Sequence, residues 1–176
     1  SGRIASLLSL GTIIFTPLFG LFVDKKGRAA SLMIYGSLIL VAVHLTFALT
    51  PIKPYIPMFA LGIAFSMVPA AMWPSVAKFV PEKQIGSAYG AMFSIQNLGL
   101  FGFPLLIGLV LDKTNPGITP NMVVSGEASY NYQWAILMLA CLGIVGLVFA
   151  FLLKREDKTS GYGLELPSNE FKSKNK

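Results

Sequence analysis

Five apolar runs, each free of Asp, Glu, Lys and Arg, occupy most of this chain: 4–23, 29–52, 54–77, 84–111 and 131–153. Each reaches the roughly 20 residues that a helix needs to cross about 30 Å of hydrocarbon. None shows the period-two alternation of a barrel strand. The pattern predicts an all-α membrane protein with five transmembrane helices, at about 4–23, 30–49, 55–80, 84–111 and 132–153. Residues 154–176 then form a polar tail, expected to be mostly disordered because its Gly, Ser and Asn offer little to bury.

The five runs are not alike. The second and fifth are almost wholly aliphatic and aromatic, which places them against lipid. The first carries Ser9, Thr12 and Thr16 on a narrow arc, followed by Pro17. The third carries Ser66, Ala70, Trp73 and Ala77 on one face, with Pro57, Pro69 and Pro74 along it. The fourth carries Tyr89, Phe93, Gln96, Asn97 and Leu100 on one face, with Gly99, Gly102 and Pro104 further on. Proline and glycine in mid-membrane weaken the backbone ladder, which is tolerated where other helices or a cavity satisfy the freed groups. The candidate solute pathway is therefore Thr12, Thr16, Ser66, Trp73, Tyr89, Phe93, Gln96 and Asn97.

Each of these residues has a plainer reading. Gln96 and Asn97 can contact a peptide-like or hydroxylated solute, or can act as glue between helices, since lipid offers a carboxamide no partner. Asn97 lies beside the small-residue pair Gly86 and Gly90, which favours glue. Thr12 and Thr16 can line a path or bond the preceding turn of their own helix. Trp73 can wall a cavity or simply pack. His44, the single histidine, reads as a satisfied structural group and not a proton relay, and Cys141 as small apolar filler.

Charge settles the topology. Alternate connections fall on alternate sides of the membrane. One side collects Lys25, Lys26, Arg28, Lys78, Lys83, Lys154, Arg155, Lys158, Lys172, Lys174 and Lys176; the other has Arg3, Lys53 and Lys113. The positive-inside rule makes the richer side cytoplasmic, so loop 24–28 and the C-terminus are expected there. Residue 1 then starts outside, almost directly in a span, with no signal-peptide pattern before it. That is the reading of a C-terminal fragment whose upstream part delivers this end across the membrane. The net charge of +6 is topological: the bases are dispersed and not interleaved with aromatics, so nucleic acid is not an expected partner.

Several functions are excluded. The spans hold no HExxH, no paired aspartates and no Gly-x-Ser-x-Gly, so no catalytic residue, metal site or cofactor is expected. The run Thr159-Ser160-Gly161-Tyr162-Gly163 mimics a potassium filter but follows the last span without a pore helix. No acid or base lies within a span, so proton coupling needs groups elsewhere, or transport is uncoupled.

The densest charge lies in GLFVDKKGR, residues 20–28. Gly27 suits a sharp turn there. A charged hairpin between two membrane helices can hold one end of a bundle shut. The stretch resembles the signature loop of the major facilitator superfamily, G-x-L-a-D-r-x-G-r-[kr]. Gly20, Asp24, Gly27 and Arg28 match, and Ala29 departs from the second basic position. A second stretch, 71–111, carries Trp73-Pro74, Val80-Pro81-Glu82, Gln84, Gly86, Ala88-Tyr89-Gly90 and the run Ser94-Ile95-Gln96-Asn97-Leu98-Gly99-Leu100. It is similar to the dipeptide-uniporter branch of that superfamily, found in lysosomes. The resemblance implies that the five spans are helices eight to twelve of a twelve-helix fold, with residues 1–153 part of its C-terminal six-helix bundle. It implies an alternating-access carrier of a small organic solute such as a dipeptide, with a drug, metabolite or sugar carrier of the same superfamily as the alternative. The expected partners are the solute, the lipid bilayer and the N-terminal half; no accessory subunit is identified. The expected membrane is the bacterial inner or plasma membrane, or the lysosomal membrane in a eukaryote. Asp24 would latch onto a helix of the opposite half, with Gly20 and Gly27 in the loop; Arg28 would bond a carboxylate or last-turn carbonyls nearby, or serve only as a topology anchor. Glu82 is either an ordinary helix-start charge or a second latch partner. Lys25 and Lys26 are topology anchors.

Overall fold

The computed structural model describes residues 2–170; Lys172, Lys174 and Lys176 and the side chain of Arg3 lie outside that description. Five long helices carry the fold: α1 (Gly2–Lys26), α2 (Ala29–Leu49), α3 (Tyr55–Phe79), α4 (Ile85–Thr114) and α6 (Gln133–Ser160), with a short α5 (Pro120–Ser125) between α4 and α6. All five are long and apolar enough to cross a membrane. Pro17, Pro69, Pro74 and Pro104 lie inside these helices without ending them. Pro57 sits in the first turn of α3, where a missing N–H costs no ladder bond.

The helices pack in the order α1, α3, α2, α6, and α4 touches α3 and α6 only lightly. Small residues set this order, because between apolar helices in lipid it is close backbone approach that gives packing energy. At the α1–α3 crossing Gly11 meets Gly62: a Cβ on Gly62 would lie 2.8 Å from the Leu8 carbonyl oxygen and 3.1 Å from the Gly11 Cα. Gly36 of α2 lies against Met67 and Val68 of α3, and Gly143 of α6 against Leu40 and Val41 of α2. The core gathers Val23, Leu32, Met33, Ile34, Met67, Ala71 and Ala150 around the end of α2 next to the charged loop. Backbone atoms at the α1–α3 crossing cannot swing aside. Gly62→Ala is therefore expected to cost about 1–3 kcal/mol by overpacking. The check is the thermal unfolding midpoint in detergent, and an unchanged midpoint would show that the seam is not close-packed.

Two expectations are corrected here. α2 is not placed wholly against lipid: it packs between α3 and α6, with ten of its 21 residues buried, while Tyr35, Leu38 and Leu49 stay exposed. Its aliphatic composition cannot distinguish lipid from protein, since both are apolar; its small residues can. The most open helix is α4, which has no buried residue, although it carries the carboxamides expected to face protein. The second correction concerns the tail. α6 does not stop near residue 153 but runs on through Lys-Arg-Glu-Asp-Lys-Thr-Ser to Ser160. It ends on Gly161 at φ 70°, whose N–H reaches the Asp157 carbonyl at 2.9 Å; that left-handed residue is a common helix stop. Gly163, at φ 76°, bends the chain again. Residues 161–168 then fold back onto the bundle, with Leu164 fully buried.

Candidate functional site

Two assemblies contain most of the predicted residues. The first is the α3–α4 seam. Trp73, just before Pro74 in α3, stacks obliquely on two rings of α4: Tyr89 at 5.6 Å and Phe93 at 4.8 Å between centroids. The Tyr89 hydroxyl donates to the Trp73 carbonyl at 2.9 Å. Residues 89, 93 and 96 lie on one α4 face because they are spaced by four and three. Next to the rings a groove of about 300 Å³ is lined by Pro69, Met72, Trp73, Met92, Ile95 and Gln96. Gln96 is exposed in it. Its amide can donate and accept at once.

The other pathway candidates do not join this group. Asn97 is exposed and donates to the Phe93 carbonyl of its own helix at 2.8 Å. Thr12 donates to the Ser9 carbonyl at 2.8 Å, and Thr16 is exposed on α1. Ser66 is fully buried in the α1–α3 crossing, with its hydroxyl 2.7 Å from the Gly62 carbonyl and 3.4 Å from that of Gly11. It fastens two helices and lines no path. His44 is buried in α2, with Nδ1 2.7 Å from the Leu40 carbonyl; a carbonyl only accepts, so Nδ1 carries the proton.

The second assembly is the charged loop and the folded-back tail. α1 ends on Lys25 and Lys26, cations that suit the negative end of the helix dipole. Gly27 and Arg28 both take left-handed backbone conformations, φ 72° and 62°. Arg28 is the N-cap of α2 but caps it with no side-chain bond. The cap comes from the tail. The Arg28 N–H donates to the Glu165 carbonyl at 3.1 Å and the Ala29 N–H to the Leu164 carbonyl at 3.2 Å. The Ser31 N–H donates to Glu165 Oε1 at 2.8 Å and its hydroxyl to Oε2 at 2.7 Å. A carboxylate thus sits where the α2 dipole favours an anion. Lys154 Nζ donates to the Ser31 hydroxyl at 2.7 Å, so cation and carboxylate are linked through one hydroxyl.

Two further groups hold the tail from beneath. Lys78 Nζ donates to the Gly163 and Leu166 carbonyls at 3.0 and 2.7 Å. Asp157, buried, accepts from the Leu164 N–H at 2.9 Å. Tyr162 packs edge-on against Phe79 at 6.1 Å. Sequence reasoning missed Ser31, Lys78, Lys154, Asp157 and Glu165 as a group. The available signal was Gly161 and Gly163 bracketing a tyrosine, followed by two leucines in an otherwise polar stretch.

The predicted loop residues fall as follows. Asp24 is exposed near the C-terminal end of α1, where the helix dipole disfavours an anion. Its Oδ1 accepts from the Ser168 hydroxyl of the tail at 3.0 Å. Gly27 is buried under the tail: a Cβ there would lie 2.3 Å from the Glu165 carbonyl oxygen. Arg28 acts through its backbone. A Cβ on Gly20 would meet nothing within 4 Å. Glu82 is exposed and opens a single 3₁₀ turn, Glu82–Gln84, before α4; it is not brought to the loop.

An all-helical membrane bundle with a charged loop between its first two spans fits a transport superfamily. The chain belongs to the Major Facilitator Superfamily, whose profile matches residues 1–173. Among its relatives is the mouse (Mus musculus) lysosomal dipeptide transporter MFSD1, 42% identical over 113 residues, which are 64% of this chain and 24% of the relative. The cattle (Bos taurus) protein of the same name is 43% identical over 97 residues, 55% of this chain and 21% of the relative. The chicken (Gallus gallus) protein is 40% identical over 112 residues, 64% and 25%. The matched stretch spans about a quarter of the length of these relatives.

Proposed function

We propose that the chain supplies helices eight to twelve of a twelve-helix carrier that moves a short peptide or similar small solute by alternating access. Family membership supports the carrier class, and the relatives' shared name supports dipeptides as the solute. The observation that carries the solute reading is the Trp73–Gln96 groove. The Trp73 ring, backed by Tyr89 and Phe93, offers an apolar wall, and beside it one carboxamide can pair with both the N–H and the C=O of a peptide bond. In this reading the open face of α4, with Gln96 and Asn97, turns towards the N-terminal half. The bare face at Gly20 supports the same arrangement. Loop 24–28 and the tail face the cytoplasm, since Lys78 and Lys154 gather with them at one end of the bundle.

Counterflow uptake in liposomes holding the whole carrier tests this reading, with dipeptides set against single amino acids and sugars. Dipeptide exchange is the expected result; exchange of sugars alone would transfer the assignment to another solute class. Trp73→Ala and Gln96→Leu are each expected to raise the dipeptide KM by roughly tenfold, the scale of one stacking or polar contact of about 1.4 kcal/mol. An unchanged KM in both variants would remove the groove as the solute site.

A further inference from the structure

The tail holds the loop at Asp24, Arg28 and Ala29, and it is itself held by Ser31, Lys78 and Asp157, which lie outside the loop motif. We infer that residues 161–168 form a built-in clasp, with Glu165 as its main positioning residue, that sets the geometry in which the loop presents Asp24. The inference rests on the reading of Asp24 as a gate latch, and it names what fixes that latch.

The loop is strained by itself. Two consecutive left-handed residues, one of them arginine, are not a backbone that the loop keeps unaided. The structure holds them with tail groups: the Leu164 and Glu165 carbonyls on the Ala29 and Arg28 N–H groups, and the Glu165 carboxylate on Ser31. The tail is fastened in turn to α3 by Lys78 and to α6 by Asp157. One short segment therefore ties the start of α2 to the ends of α3 and α6, so that this end can move only as a block. Ser168 also lies on Asp24. That hydroxyl takes one acceptor site on Oδ1, and Oδ2 stays available to an incoming helix of the opposite half. The clasp thus orients Asp24 while leaving it able to engage that helix.

The test uses the whole carrier with Glu165→Gln, which leaves one acceptor oxygen in place of two and removes the charge. Hydrogen exchange at the Ala29 and Ser31 amides is expected to quicken about fivefold, the scale of a lost helix cap. Turnover per carrier molecule is expected to fall about fivefold with KM unchanged, because the groove is untouched. Ser31→Ala, a change of one hydroxyl, serves as the second variant should the first fail to accumulate, and is expected to act in the same direction with a smaller effect. Unaltered exchange in both variants would overturn the clasp. Faster exchange with unaltered turnover would also overturn the inference, leaving a structural cap with no part in gating. Asp24→Asn in the same carrier separates the two readings. Unaltered turnover there, alongside reduced turnover in Glu165→Gln, removes the latch and with it the aiming of Asp24, and leaves the tail as a gating element that acts through the start of α2.

Discussion

Gly27→Ala is expected to unseat the tail and lower the stability of the bundle by about 2–4 kcal/mol. Two separate costs combine. A left-handed backbone costs alanine about 1 kcal/mol more than glycine. The added Cβ would lie 2.3 Å from the Glu165 carbonyl oxygen and 2.5 Å from the Leu166 carbonyl carbon. Both are backbone atoms, so the clash is relieved only by moving the segment, and overpacking of this kind costs about 1–3 kcal/mol. The expected signs are a lower unfolding midpoint and faster hydrogen exchange at the first turn of α2. Combined with Glu165→Gln, the loss should fall short of the sum, since both changes release the same segment. A midpoint equal to wild type would show that the tail does not lie over the loop. The turn requirement of Gly27 is legible in the sequence. The overlying Glu165 backbone is not, because it comes from 138 positions further along the chain.

The second large effect is expected at Asp24. In the whole carrier, Asp24→Asn should reduce transport about tenfold while the amount in the membrane stays near wild type. The carboxylate sits where the dipole of its own helix opposes it, and among the described residues it accepts a hydrogen bond from a neutral serine hydroxyl on the tail. The carboxylate also feels the Lys78 ammonium, and the N-terminus of a helix from the opposite half would add N–H donors and a favourable dipole to it. An asparagine keeps the shape and the bond to Ser168 but loses the charge. The fold should therefore survive and the closed state should weaken. Full transport by Asp24→Asn at normal abundance would falsify the latch. Loss of abundance in step with transport would assign Asp24 to folding instead.

The candidate groove was only partly legible. Tyr89, Phe93 and Gln96 share a face by spacing alone, and Trp73 beside Pro74 was already a candidate wall. That these four lie together required the α3–α4 pairing. Ser66 illustrates the opposite case. Its face suggested a pathway, yet Gly11 and Gly62 bring α1 and α3 so close that the hydroxyl is sealed between them. The helical pattern places a residue on a face, but the partner of that face depends on residues elsewhere in the chain.

The sequence by itself determined five membrane helices, the charged loop between the first two, and the superfamily. These rest on local physics: about 20 uncharged residues partition into hydrocarbon whatever their neighbours do, and a turn that needs left-handed backbone calls for glycine where it stands. The tertiary structure alone decided which helix is enclosed and what holds the loop. In lipid, an aliphatic surface is equally at home against a helix or a hydrocarbon tail, so hydrophobicity could not place α2 at the centre; the close approaches at Gly36 and Gly143 did. The tail looked too polar to fold because nothing near it in sequence could use its carboxylate. Its partner is the unsatisfied first turn of α2, with Ser31 134 positions away from Glu165, and only the folded chain brings the two together.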